Sequence, residues 1–225
     1  KAMKKSSILI LIIICLVGCK KGSNETTITG EIKGLGTDTL YLYGMDELYD
    51  RIDTIYVEND KFSYTTSVDT ITSAYLLLKN RIEYPVFLDK GNKIKIKGDT
   101  INLNFLTISG NIYNEEFTDF QKALEDPADP SEKAGEETVD KRITVEKANT
   151  AEEMAEEFIL QHHSSYVSLY LLDKYFVQKE TPDFSKIKKL VEVMTGVLQD
   201  KPYIERLNET ITQAEKSEIG KYAPF

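Results

Sequence analysis

The spacing of apolar residues changes near Ile112, and this change constrains the fold more than any other feature. Between residues 27 and 111, short runs rich in Ile, Thr, Tyr and Phe alternate apolar with polar positions and are separated by turn residues. From Ile112 onward, apolar residues recur at the spacing of a helix. Strands followed by helices predict an α+β fold: an antiparallel β-sandwich or open barrel at residues 27–111, then a helical layer at residues 112–218.

Turn residues and prolines predict the main element boundaries. The sequence Glu58-Asn59-Asp60-Lys61 separates two alternating runs and predicts a hairpin. Pro182-Asp183 and Pro202 are expected to begin the last two helices. Two apolar stripes are expected to be buried. The first comprises Ile112, Phe117, Phe120 and Leu124, and the second comprises Ile187, Leu190, Val191, Met194, Val197 and Leu198.

The first 18 residues have the organisation of an export signal. Lys4 and Lys5 precede an apolar run from Ile8 to Val17, which at about 1.5 Å per residue is too short to span a bilayer. The next residues, Gly18 and Cys19, complete a sequence that resembles the lipobox of bacterial lipoproteins. The resemblance implies a signal peptide at residues 1–18, acylation of Cys19 with palmitate-type chains, and a tether at residues 19–26. We therefore expect an envelope lipoprotein that faces the periplasm and is attached to the lipid bilayer through Cys19.

Charge and cysteine content exclude several functions. Loss of Lys1, Lys4 and Lys5 with the leader would change the net charge from −9 to −12, which disfavours nucleic acid as a partner. The two cysteines are Cys15, inside the leader, and Cys19. The mature chain is therefore expected to have no disulfide, no thiol nucleophile and no CxxC motif, and so no thiol-dependent enzymatic activity.

Other chemically interesting residues have simpler interpretations. The adjacent His162 and His163 point about 100° apart on a helix, so a structural role is favoured over a metal site. An exposed helix face is favoured for Glu152, Glu153, Glu156 and Glu157, and ordinary loop acids are favoured for Asp38, Asp46, Glu47, Asp50 and Asp53. Gly34-Leu35-Gly36 predicts a turn and not a phosphate loop. No catalytic, metal or cofactor site is predicted.

Five tyrosines in the strand region leave two interpretations open. They are Tyr41, Tyr43, Tyr49, Tyr56 and Tyr64. Cross-strand packing is favoured, because alternate strand positions need large side chains and the chain contains no Trp. An aromatic binding face is the alternative.

Several short motifs resemble a known family. They are Asp53-Thr54-Ile55-Tyr56-Val57 followed by Asp60-Lys61-Phe62, then Phe87-Leu88-Asp89-Lys90-Gly91, and Ile108-Ser109-Gly110-Asn111 followed by Asn114. Together they resemble the N-terminal domain of unknown function, DUF4369, that precedes thioredoxin-like modules in Gram-negative lipoproteins. Residues 219–225, with Gly220 and Ala223-Pro224, resemble the entry to a thioredoxin-like domain of the TlpA, ResA and AhpC-TSA type.

The resemblance implies a non-catalytic accessory domain. In this interpretation the chain positions or assists a downstream thioredoxin-like module, residues 219–225 begin that truncated module, and the full-length protein is a thiol-disulfide oxidoreductase acting on envelope proteins. The alternative is a stand-alone envelope lipoprotein that binds a partner or ligand through its β domain.

The lipobox gives a direct prediction for Cys19→Ser. This substitution is expected to abolish acylation and leave the unprocessed precursor, because no other thiol lies at the cleavage site. Metabolic labelling with a fatty acid and membrane fractionation would measure the effect. A Cys19→Ser variant that is still acylated would contradict it.

Overall fold

A computed structural model describes residues 24–45, 48–78, 81–125 and 140–222, with side chains described for all of these except 140–150 and 218–222. Cys19, Asp46, Glu47 and residues 223–225 lie outside the described residues. Eight strands come first: β1 (Glu25–Lys33), β2 (Asp38–Gly44), β3 (Ile52–Val57), β4 (Lys61–Ser67), β5 (Thr72–Leu77), β6 (Glu83–Leu88), β7 (Lys93–Asp99) and β8 (Thr107–Ser109). The helices are α1 (Ile112–Glu125), α2 (Asp140–Gln161), α3 (Tyr166–Leu172), α4 (Phe184–Val193) and α5 (Pro202–Tyr222).

The strands form two four-stranded sheets, which confirms the predicted α+β class with an N-terminal β domain. Sheet A has the order β4-β1-β7-β8, and sheet B has the order β3-β2-β5-β6. Neighbouring strands are antiparallel except for the parallel pair β1 and β7. The alternation seen in the sequence places Ile28, Ile94 and Ile96 in the core, at most 1% exposed, while the lysines of β7 face solvent.

The predicted hairpin between β3 and β4 is present. Asn59 and Asp60 both have positive φ angles, 50° and 68°, which is the backbone twist that suits a tight hairpin. Because β3 belongs to sheet B and β4 to sheet A, the hairpin crosses from one sheet to the other. In the neighbouring pair of β1 and β4, the buried Phe62 ring covers Gly30, where a Cβ atom would lie 2.1 Å from the ring.

Helix α1 closes the side of the sandwich formed by the edge strands β6 and β8. The Asn114 side chain accepts a hydrogen bond from the Phe87 N–H (3.0 Å) and donates one to the Phe87 C=O (2.8 Å). One turn later, the Thr118 hydroxyl accepts from the Ile108 N–H (3.0 Å) and donates to the Ile108 C=O (2.9 Å). Two side chains of one helix therefore satisfy outward backbone groups of both edge strands.

Helix α1 begins at a tight junction that glycine permits. Gly110 has a φ of 114°, and a Cβ atom there would lie 2.2 Å from the Lys93 carbonyl oxygen. The Asn111 side chain then accepts a hydrogen bond from the Asn114 N–H at 3.0 Å, as a helix N-cap does. It also donates to the Phe87 C=O at 2.8 Å, so the cap itself is joined to sheet B.

A polar cluster closes the opposite side, between the edge strands β3 and β4. The Tyr49 hydroxyl donates to Asp53, and Arg51 donates to Asp53 at 3.0 Å, to the Thr66 hydroxyl and to the Ser67 carbonyl. Burial opposes ionisation of Asp53, but hydrogen bonds from Tyr49, Tyr64 and Arg51 outweigh it and lower the pKa of this carboxyl. Burial and the nearby Asp53 raise the pKa of Tyr49 to about 12.

The helical layer packs on sheet B through aromatic side chains. Phe117 of α1 contacts Tyr84 and Phe87 of β6, and Tyr170 of α3 contacts both Phe117 (5.2 Å between centroids) and Tyr75 of β5 (6.3 Å). These ring pairs are edge-to-face, the arrangement that aromatic quadrupoles prefer. The buried Lys201 adds a polar tie, because its amine donates to the Ile71 carbonyl at 3.3 Å.

The structure corrects two details of the predicted apolar stripes. Ile112 is 62% exposed at the start of α1, where Asn114 and Thr118 join Phe117 and Phe120 on the buried face instead. Helix α4 ends at Val193, so Val197 lies in a short 3-10 turn and is 57% exposed. Asp183 caps α4 by accepting from the Lys186 N–H, in agreement with the predicted start.

The strand-capping role of Asn114 predicts a large loss of stability for Asn114→Ala. The substitution would remove the acceptor of the buried Phe87 N–H, while the Phe87 C=O keeps its bond from Asn111, and we expect this to lower the free energy of unfolding by about 1–3 kcal/mol. Urea denaturation would measure it. Asn208→Ala, at an exposed position in α5, is the matched control and should be neutral or slightly stabilising. Equal stability of the two variants would contradict the proposed role of Asn114.

The polar cluster predicts a pH-dependent effect of Asp53→Asn. Because the folded pKa of Asp53 is lowered, its ionised form stabilises the fold above the ordinary value of 3.8, and this contribution is lost as pH falls through the folded pKa. We expect Asp53→Asn to cost about 1–2 kcal/mol at pH 7, with the gap from the parent closing in acid. Urea denaturation from pH 7 to 3 would measure this gap. The exposed Asp50→Asn is the control, and a gap independent of pH would contradict the prediction.

Candidate functional site

The outer face of sheet B is covered on one half and open on the other. Helices α1 and α3 cover strands β5 and β6, whereas the outward side chains of β2 and β3 remain accessible. Ile52 and Tyr56 are 72% and 73% exposed, and Tyr41 is 41% exposed. We call the open half the tyrosine face. It comprises Tyr41, Tyr43, Ile52, Tyr56 and Leu77.

The tyrosine face leads into a cleft where the helical cover begins. In the strand register, Ile52 is paired with Tyr43, and Tyr43 with Tyr75, which places one residue of each strand in a row across the sheet. The Tyr43 and Tyr75 rings are 5.7 Å apart. Beyond Tyr75 lies a cavity of about 350 Å³, which we call the cleft, lined by Met45, Ser73, Tyr75, Leu169, Tyr170, Asp173, Gln178, Tyr203 and Arg206.

A carboxylate is held at the polar end of the cleft. Asp173 accepts a hydrogen bond from the Tyr203 hydroxyl on Oδ1 (2.6 Å) and from the Gln178 amide on Oδ2 (2.5 Å). It is also the first residue of a π-helical turn, Asp173–Val177, that continues α3. Such turns are rare and occur frequently at functional sites, because they change the direction in which side chains project.

Acidic and basic side chains both act on the tyrosines of the cleft. Burial raises the pKa of Tyr75, and the nearby carboxylates of Asp173 and Glu83 raise it further. Burial also raises the pKa of Tyr170 and of Tyr203, and Asp173 acts in the same direction on both. Arg206 has the opposite effect on Tyr203. The three tyrosines are therefore neutral hydroxyl donors around a negatively charged group.

The cleft has the chemical groups and the size of a binding pocket. The cleft offers aromatic walls, neutral hydroxyls, a carboxylate and a guanidinium, and its volume is in the range of small-molecule or side-chain pockets. Within the described parts of the chain, no group of three or more His, Cys, Asp or Glu side chains is arranged to hold a metal ion. Helices long and apolar enough to span a bilayer are likewise not found among the described residues.

The two adjacent histidines have structural contacts, as the sequence suggested. The His162 ring stacks on Phe158, 4.1 Å between centroids, and its Nδ1 lies 3.5 Å from Glu116 of α1. The His162 carbonyl accepts from the Ser168 hydroxyl, and the His163 carbonyl accepts from the Thr195 N–H. Both residues therefore fix the junction between α2 and α3.

The acidic face of α2 is only partly the solvated surface that was expected. Glu153 and Glu157 are exposed, but Glu152 and Glu156 are half-buried and pair with lysines of the following segments. Glu152 contacts Lys179 and Lys186, and Glu156 contacts Lys186 at 2.8 Å. The prediction was wrong for these two residues, since sequence spacing does not reveal which helix face meets the Pro182 segment.

The structure also shows where the predicted glycine turn, the loop acids and the five tyrosines lie. Gly34 and Gly36 have φ angles of 79° and 70° and form a turn, as predicted. Asp53 belongs to the polar cluster, and the Asp38 side chain accepts from the Thr39 N–H within its own strand. The tyrosines divide between both interpretations: Tyr49 and Tyr64 bond within the β domain, while Tyr41 and Tyr56 lie on the tyrosine face. Tyr43 fits both, since it belongs to the tyrosine face and packs against Tyr75 of the neighbouring strand.

The cleft was not predicted from the sequence, in which Tyr170, Asp173 and Tyr203 were not singled out. A usable signal was present, because Asp173 and Lys174 interrupt an otherwise apolar run between Tyr166 and Phe176. Asp173 and Tyr75 are about 100 residues apart in sequence, and only the fold shows that both line the same cavity.

Comparison with known proteins found a match to a family model that covers the N-terminal part of the chain. Searches of curated proteins and of solved structures found no match. Residues 26–117 match the family model described as Domain of unknown function (DUF4369), and the match extends from β1 to the Phe117 residue of α1. Residues 26–117, about two fifths of the chain, are therefore similar to the DUF4369 family.

Proposed function

We propose that this chain is the non-catalytic N-terminal part of a membrane-anchored thiol-disulfide oxidoreductase lipoprotein. In this proposal, Cys19 carries the lipid anchor in the cell envelope, and the described domain faces the periplasm. Its role is to position or assist a thioredoxin-like module that follows residues 219–225. The redox chemistry belongs to that module, and the mature chain contributes no cysteine to it.

The observation that carries the proposal is the DUF4369 match over residues 26–117. The family that these motifs resemble precedes thioredoxin-like modules in lipoproteins. The lipobox before the matched region and the Gly220, Ala223-Pro224 segment after it fit this arrangement. A module joined by a short linker experiences a high effective concentration, so a modest contact surface on the accessory domain is enough to orient it.

The tyrosine face supports a contact role in this arrangement. Ile52 and Tyr56 expose most of their side-chain surface, and Tyr41 adds a third partly exposed aromatic or apolar group. Aromatic residues are enriched where proteins contact each other, because one rigid side chain contributes a large area. The face is therefore the candidate surface through which the domain meets the module or its protein substrates.

A stand-alone envelope lipoprotein that binds a ligand through its β domain is the second candidate. The observation that favours it is the cleft, which is lined by Met45 after β2, by residues of β5 and by residues of the helical layer. The reading frame downstream of Phe225 separates the two candidates: a thioredoxin fold with a CxxC motif supports the first, and a stop codon supports the second.

The proposal predicts that all thiol-dependent activity resides in the downstream module. The mature chain alone should not reduce insulin disulfides, because the reaction requires a thiolate and its only cysteine carries lipid. Joining a thioredoxin-like module after Phe225 should provide the activity. Turnover by the mature chain alone would contradict the assignment, as would identical rates of the joined protein and the isolated module on every envelope disulfide substrate tested.

The contribution of the tyrosine face can be tested in the same joined protein. The double substitution Ile52→Ser and Tyr56→Ser should lower the rate on the preferred substrate by about fivefold or more, since important interface residues each contribute about 1 kcal/mol or more. Ile101→Ser is the matched control, because Ile101 is 93% exposed and lies outside the face. Equal effects of the two changes would exclude the face as a contact surface.

A further inference from the structure

We propose that the cleft binds the cationic head of a basic side chain, presented by an extended peptide that lies along the tyrosine face. This inference goes beyond the accessory role and does not depend on a downstream module. It rests on the geometry of Asp173, on the aromatic walls beside it, and on the continuity between the cleft and the open half of sheet B.

The first step concerns the acceptor capacity of Asp173. An ionised carboxylate has about four lone-pair positions on its two oxygens. Tyr203 and Gln178 each use one position, one on Oδ1 and one on Oδ2. These two bonds fix the orientation of the carboxylate and leave acceptor positions for a further donor. An ammonium or guanidinium group is the donor that such a carboxylate binds most strongly, through charge-assisted hydrogen bonds.

The second step concerns the walls of the cleft. Tyr75, Tyr170 and Tyr203 all line the same cavity, and the Tyr75 and Tyr170 rings are 6.3 Å apart at an angle of 64°. Aromatic faces attract cations, and the alkyl stem of a lysine or arginine packs well against them. Tyr170 already has a cation beside it within the chain, since the Lys174 amine lies 5.6 Å from its ring centroid.

The third step concerns the charges around the site. Besides Asp173, Glu83 lies close enough to act on Tyr75, and it bonds to the Tyr43 hydroxyl at the entrance from the tyrosine face. Arg206 also lines the cleft, but it is engaged in an interaction of its own. The two carboxylates near the aromatic walls are accompanied by two cations, Arg206 in the lining and Lys174 beside Tyr170, so the preference for a positively charged group rests on the acceptor positions of Asp173 and on the ring faces.

The fourth step explains why the cation is expected on a peptide. Ile52, Tyr43 and Tyr75 form a row across three strands that ends at the cleft. This row is apolar and aromatic, it is most exposed at Ile52, and it crosses three strands spaced about 4.8 Å apart. A free amine would use only the cleft, whereas a peptide would use the cleft and the tyrosine face together.

The test uses the unchanged protein and two matched peptides, acetyl-Ala-Tyr-Lys-Tyr-Ala-amide and the same peptide with Nε-acetyl-lysine. Binding is measured by calorimetry and by NMR shifts of the cleft tyrosines. The lysine peptide should shift those signals, and acetylation of its amine should weaken binding roughly tenfold or more, the scale of one hydrogen bond to a charged group. Equal affinity of the two peptides, or no binding by either, would overturn the inference.

A variant and a second probe identify the groups responsible. Asp173→Asn, which keeps the shape of the side chain, should weaken binding of the lysine peptide by about the same factor, roughly tenfold. Asp119→Asn, at an exposed acid of α1, should leave it unchanged. Binding of 1,5-diaminopentane as tight as that of the peptide would overturn the peptide assignment. If Asp173→Asn fails to fold, the comparison of the two peptides on the unchanged protein still decides the matter.

Discussion

The two sheets of this domain have edge strands whose backbone groups need partners, and the fold depends on how these edges are satisfied. On one side, Asn114 and Thr118 bond to the outward N–H and C=O groups of Phe87 and Ile108. An unpaired backbone group that is buried costs about 1–3 kcal/mol, so these bonds together outweigh most single contacts in the core. Helix α1 is therefore part of the β domain in energetic terms, although it is a helix.

The opposite edge strands, β3 and β4, are joined by a hairpin and a polar cluster. The β3–β4 hairpin crosses between the sheets, and the cluster of Tyr49, Arg51, Asp53 and Thr66 fills the gap beside it. This side depends on ionised groups, whereas the α1 side depends on neutral amide and hydroxyl groups. The two sides should consequently respond differently to acid, because only the carboxylate loses its charge there. Because both sides are closed in this way, the two sheets do not have to join into a continuous barrel.

Much of this fold could be predicted from the sequence, because alternating and helical spacing report directly on which faces are buried. The strand region, the Glu58–Lys61 turn and the helix start at Pro182-Asp183 all followed from local patterns. The errors arose where tertiary contacts override a pattern: Ile112 continues an apolar stripe but is exposed, and the polar Asn114 is 1% exposed because a strand edge needs its amide. The cleft was missed for the same reason, since Tyr75 and Asp173 meet only when the helices pack on sheet B.

The origin of the cleft residues suggests how the site is divided between the two halves of the chain. Met45, Ser73 and Tyr75 come from the part of the chain that matches DUF4369, whereas Asp173, Gln178, Tyr203 and Arg206 come from the helical layer outside the family match. The domain thus supplies a mostly apolar platform, and the helical layer supplies the charged groups. Since hydrogen-bonding and charged groups discriminate between ligands far more strongly than apolar walls do, the specificity of the cleft resides mainly in the helices. A change in α3 or α5 can therefore alter what the cleft accepts while the strand-edge contacts that hold the β domain together stay intact.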